Sequence, residues 1–133
     1  ANPGDRVVLL FPPGIDFMVN LLGCFYAGVI AVPTYPPLNP RHITKMRLLV
    51  ADAKPTLLCS PRALQDKFLN PAPGQNTDDA RFLHELAKAS LHDEAHNHGF
   101  EWRTYEEVDP THTMNTQDLS ITQNTIAFLQ YTS

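Results

Sequence analysis

Residues 4–37, GDRVVLLFPPGIDFMVNLLGCFYAGVIAVPTYPP, leave this chain little choice of fold. Arg6 to Phe11 (RVVLLF) is an unbroken β-prone apolar run. Without polar alternation, such a run suits a strand covered on both faces, as in a parallel sheet. Pro12-Pro13-Gly14 ends it, because proline has no N–H to give a ladder. Ile15, Met18, Leu22 and Phe25 then recur at helical spacing, with Leu21 and Tyr26 beside them, and predict an amphipathic helix from Ile15 to Ala27. Asp16 falls in its first turn, where a negative charge suits the helix dipole. Gly28 follows its end, where a left-handed conformation is cheap only for glycine. The small Gly23 and Ala27 are expected to bring the helix close to the sheet. Val29 to Val32 is a second buried strand, completing one βαβ unit.

The rest of the chain repeats the alternation. Pro33, Pro36, Pro37 and Pro40, with Tyr35 between them, make a stiff extended connector. Pro40 to Ala53 is a second helix that buries Ile43, Met46, Leu49, Val50 and Ala53, with Arg41, Lys45, Arg47 and Lys54 on its solvated side. Pro55 stops it, and Thr56 to Cys59 is a third strand. Ser60 as cap and Pro61 in the first turn start a short helix over Ala63 to Leu69. Residues 70–79 (NPAPGQNTDD) are a loop; Ala80 to Leu91 is a helix; residues 92–99 are polar and irregular. Trp102 to Val108 reads as a short strand with a turn, residues 109–124 as mostly loop, and Thr125 to Tyr131 as a final strand running into Thr132-Ser133. Strands alternating with helices specify an α/β fold: a mostly parallel sheet flanked by helices. A chain of 133 residues is read as a single partial domain, with a variable loop region at about 70–124. It starts at Ala1 and ends mid-pattern, which reads as a piece of a longer protein. An incomplete parallel sheet would leave an apolar edge open to self-association.

Composition narrows the function. With 43% hydrophobic residues and a net charge of -4, the chain is globular in character. Residues 1–69 carry +3 and residues 70–133 carry -7. The cations of the first half form no stripe with interleaved aromatics, which argues against nucleic-acid binding. The longest apolar candidate, Phe17 to Val32, is broken by Asn20, Gly23 and Gly28, so no transmembrane segment is expected. No secretory signal pattern is seen. Cys24 and Cys59 have no CxxC spacing and read as buried free thiols of a cytoplasmic protein. His92, His96 and His98, with Asp93 and Glu94, are the one metal-like cluster, but Asn97 and Gly99 mark the stretch as solvated loop, and no metal site is assigned.

In such sheets ligands bind beyond the carboxyl ends of the strands. Those ends are Pro12-Pro13-Gly14, Pro33-Thr34, Ser60-Pro61 and Thr132-Ser133. The first has one glycine, not GxGxxG, and no acidic cluster; the next two offer no acid, base or metal ligand. No GxSxG nucleophile elbow is present. Only Thr132 and Ser133 offer hydroxyls that, with following backbone N–H groups, suit the start of a phosphate-cradling loop.

Residues 4–37, ending in CFYAGVIAVPTYPP, together with HITKMRLLVADAKPTLLCS and the closing AFLQYTS, resemble the amino-terminal part of adenylate-forming enzymes. The YPP ending is similar to the fatty acyl-AMP ligase branch in particular. The likeness covers residues 1–69 and 125–133 and says little about 70–124. It implies that these residues belong to the large N-terminal domain of a ligase. That ligase would use ATP, Mg²⁺ and a fatty acid to make an acyl-adenylate, then pass the acyl group to the phosphopantetheine thiol of an acyl carrier protein in lipid, polyketide or lipopeptide biosynthesis. It further implies that Thr132 and Ser133 open the ATP phosphate loop, that no catalytic residue lies within this stretch, and that the stretch alone is inactive without the rest of the parent chain. An acyl-CoA synthetase, and a non-catalytic module of the same fold, are the alternatives.

Overall fold

A computed structural model describes residues 1–71, 77–88, 100–107, 111 and 120–132. The chain forms β1 (Arg6–Leu10), α1 (Ile15–Ala27), β2 (Ile30–Thr34), α2 (Pro40–Ala53), β3 (Leu57–Ser60), α3 (Arg62–Leu69), α4 (Asp78–Lys88) and β4 (Glu101–Thr104), followed by a 3₁₀ turn at Tyr105–Glu107. Among the described residues the sheet has four strands in the order β2-β1-β3-β4. All are parallel: Val8 pairs with Val32 and with Leu58, and Leu58 with Trp102. The α/β expectation holds.

Right-handed crossovers fix which helix covers which face. The step from β1 to β2 runs one way along the sheet. The steps from β2 to β3 and from β3 to β4 run the other way, so their helices fall on the opposite face. The side chains of β1 follow suit. Val8 and Leu10 join Met46 and Leu49 of α2, Phe68 of α3 and Leu86 of α4 in the larger core. Val7, Leu9 and Phe11 join Cys24 of α1, with Phe17 and Leu21 partly buried around them. This double burial is why the β1 run shows no polar alternation.

Helix ends show both local and remote control. Gly28 takes the left-handed conformation at φ 69° and closes α1. Asn39 caps α2, its side-chain oxygen accepting from His42 N at 2.9 Å. The Arg6 guanidinium donates to the carbonyls of Ala53 and Lys54, satisfying the other end of α2. Arg47 lies 4.1 Å over the Phe82 ring and pairs with Asp79, joining α2 to α4.

Four expectations need correction. The stripe Ile15, Met18 and Leu22 does not face the sheet: Ile15 is 82% exposed, and Val19 and Tyr26 share that outer face. Both faces of α1 are apolar, so periodicity could not choose between them. Gly23 makes no close approach, since a Cβ built on it would meet nothing within 4 Å. Ser60 does not cap α3; Pro61 holds that position. Ser60 is buried at the end of β3, where its hydroxyl accepts from Trp102 Nε1 at 2.7 Å and donates to the Pro61 carbonyl.

The fourth correction concerns residues 125–131, which are not a strand. They run beside β2 with a single parallel bridge between Ala31 and Phe128. Ala31 N donates to the Ala127 carbonyl at 3.0 Å, and Leu129 N donates to the Ala31 carbonyl at 2.8 Å. Outward-facing positions alternate along a strand. The next one on β2 is Pro33, which has no N–H, so the ladder stops.

Candidate functional site

In a doubly wound sheet the crevice for ligands lies where strand order reverses. Here that point is between the carboxyl ends of β1 and β3, because the chain leaves β1 toward β2 and leaves β3 toward β4. The crevice is occupied by the chain itself. The Tyr105 ring packs on Phe11 with centroids 5.9 Å apart, and its hydroxyl donates to Asp16 Oδ2 at 3.2 Å. That hydrogen bond holds the Tyr105 hydroxyl above the usual phenol pKa. Beside it, both Glu106 carboxylate oxygens accept from Arg62 N, at 3.1 and 3.0 Å. The amino terminus of α3, where an anion would otherwise sit, thus holds a carboxylate of the same chain.

Among the described residues, open depressions lie at the other end of the sheet. One, of about 440 Å³, is lined by Val50, Lys54, Phe82, Leu86 and Phe100. The other, of about 250 Å³, lies beside Gly4, Gly28 and Ile126. Both adjoin the amino ends of strands, and the charged side chain among their linings is Lys54. Neither supplies an acid–base pair. No group of three metal-ligating side chains occurs among the described residues, and His92, His96 and His98 lie outside them.

This leaves the segment that ends at Thr132. Its side chains are mostly exposed, but it is tied at two levels. Leu129 packs against the α2-side core, and the Tyr131 hydroxyl donates to Asp52 Oδ2 of α2 at 2.5 Å. The carboxylate holds the Tyr131 proton above its ordinary pKa. Thr132 is exposed, and Ser133 lies outside the described residues. One exposed hydroxyl is too little to hold a nucleotide. Sequence reasoning missed Asp52, Tyr105 and Glu106 because their partners lie 79, 89 and 44 residues away and leave no local pattern.

The profile of the AMP-binding enzyme family matches residues 1–133. The chain belongs to the AMP-binding enzyme family. Over 136 residues it is 30% identical to the long-chain-fatty-acid–AMP ligase FadD32 of Mycolicibacterium smegmatis, covering 100% of this chain and 18% of that protein. Over 137 residues it is 26% identical to the medium-chain-fatty-acid–acyl-carrier-protein ligase JamA of Moorena producens, again with all of this chain and 20% of the relative. The fatty acyl-adenylate ligase of Legionella pneumophila, solved in complex with acyl adenylate and pyrophosphate, superposes with a TM-score of 0.67 at 34% identity, over 100% of this chain and 19% of that one. The chain thus spans about a fifth of the length of these family members. Among the described residues no helix is long and apolar enough to cross a membrane.

Proposed function

We propose that these residues are the amino-terminal part of the large domain of a fatty acyl-AMP ligase. Its parent chain activates a fatty acid with ATP and Mg²⁺, releasing pyrophosphate and forming an acyl-adenylate. The acyl group then passes to the phosphopantetheine thiol of an acyl carrier protein. The observation that carries this reading is the match of the whole chain, at 34% identity, to a fatty acyl-adenylate ligase solved with acyl adenylate and pyrophosphate. The carrier-protein acceptor is supported by the likeness to JamA. Thr132 and Ser133 are assigned to the opening of the ATP phosphate loop, and the parent works in the cytoplasm, where ATP and carrier protein are found. The described residues serve as scaffold: the reversal crevice is filled by Tyr105 and Glu106, and no residue that binds Mg²⁺ is assigned among them.

The test uses the full-length chain that carries this sequence. Fatty-acid-dependent exchange of labelled pyrophosphate into ATP is the expected result, followed by acyl transfer to holo carrier protein in preference to coenzyme A. The isolated 133-residue chain is expected to show no exchange. A full-length protein that forms no acyl-adenylate from any fatty acid would overturn the reading; transfer to coenzyme A alone would move it to the acyl-CoA synthetases.

A further inference from the structure

We propose that Tyr131 and Asp52 are a positioning pair that fixes the approach to Thr132. This rests on the ligase reading above for its consequence, though not for its geometry. Three observations carry it. First, no backbone hydrogen bond to β2 past Leu129 does the job among the described residues. The segment is bridged to β2 through Ala127 and Leu129, and the next outward position of β2 is Pro33, which has no donor to continue the ladder. Past Leu129 no backbone hydrogen bond to β2 holds the chain among the described residues. Secondly, the tie that replaces the ladder reaches a different element. The Tyr131 hydroxyl donates to Asp52 Oδ2 at 2.5 Å, one residue before Thr132. Thirdly, Asp52 is misplaced for its own helix. It lies in the last turn of α2, where the dipole disfavours a negative charge. Among the described residues its hydrogen-bond partner is Tyr131, with no cation paired to it. A carboxylate that opposes the helix dipole is accounted for by what it holds.

The pair acts through position and touches no reacting atom. Leu129 anchors one end of a four-residue span in the core, and Tyr131 pins the span to α2 just before its terminal hydroxyl. Thr132 is then presented from a fixed point, with the entropy of the approach already spent in folding.

The test uses the full-length chain with Tyr131→Phe, Asp52→Ala and the double variant. Alanine is the better helix former at position 52, so folding of α2 is not at risk. Amide hydrogen exchange is the first readout. Residues 130–132 are expected to exchange several-fold faster in both single variants, while the Leu129 amide, bonded to Ala31, keeps its protection. Pyrophosphate exchange is the second. KM for ATP is expected to rise about three- to tenfold in each single variant with kcat little changed, to rise no further in the double variant, and to be partly restored by Asp52→Asn, which keeps a neutral acceptor. Unchanged amide exchange overturns the pair whatever the activity. Additive losses, or faster exchange with an unaltered KM for ATP, overturn its role in presenting Thr132. A wild-type chain with no pyrophosphate exchange overturns the ligase reading and, with it, that consequence; the amide readout still decides whether the pair fixes the segment.

Discussion

Cys24 and Cys59 show what burial does to a single group. Cys24 is buried on the inner face of α1, and desolvation pushes its thiol up to about 11. Cys59 keeps some accessible surface, yet it sits on an inner strand between β1 and β4. Burial there, reinforced by Cys24, pushes its thiol higher, to about 12. Neither is a thiolate at neutral pH, so the native chain is expected to react slowly with a thiol-specific disulfide reagent, and both thiols should react on unfolding. Rapid native modification would contradict their burial. Both folded pKa values lie above the ordinary thiol value of 9.0, so the folded state holds these protons more tightly than the unfolded chain. Their contribution to stability is complete below about pH 9 and is lost as pH rises through 11 and 12. The sequence placed both residues on apolar elements. Their mutual proximity is a product of the fold.

At the scale of elements, the ends of helices divide into those set locally and those set from afar. Gly28, Asn39 and Pro40 act within a residue or two of the end they control; Gly28 and Pro40 were read in order along the chain, while the Asn39 cap emerged only with the structure. The start of α3 was not. A serine before a proline reads as a cap, but Ser60 is drawn into the sheet by the indole of Trp102, which is fully buried and needs an acceptor. Glu106 replaces it from 44 residues away. Glu106→Ala is expected to destabilise the chain by about 0.5–1 kcal/mol in denaturant unfolding, the usual worth of a lost cap. A stability change near zero would show that water serves the α3 terminus equally well. Pro33 is the converse case: its presence was plain in the sequence, but its effect, cutting the ladder to residues 125–131, depended on which way position 33 faces.

For the whole molecule, the open surface is not where an incomplete sheet would suggest. The outer side of β2 is partly covered by residues 127–129. The outer strand β4 carries Glu101 and Arg103, bonded to each other at 3.2 Å, a charged pair that discourages further pairing. Among the described residues, the outer face of α1 gathers Ile15, Met18, Val19, Leu22 and Tyr26, all exposed; Ile121, Ile126 and Phe128 are exposed as well. A helix apolar on both sides is normally covered on both. The isolated 133-residue chain is therefore expected to self-associate in light scattering, and Met18→Glu with Leu22→Glu should shift it toward monomer. A wild-type chain that stays monomeric at high concentration would count against this, and association unaffected by the paired substitution would move the cause away from α1.

The kind and order of elements from β1 to α3 were legible along the chain, because propensity, periodicity and breakers such as Pro12-Pro13, Gly28 and Pro55 act over a few residues. The likeness of its motifs to adenylate-forming enzymes led to the right family. The tertiary structure decided the rest: the order β2-β1-β3-β4, the face of α1 that is buried, the closing of the reversal crevice by Tyr105 and Glu106, and the tie from Tyr131 to Asp52. Each of these joins groups far apart in the chain. Such contacts form only when packing brings the partners together, and nothing in the local spacing of either partner records them.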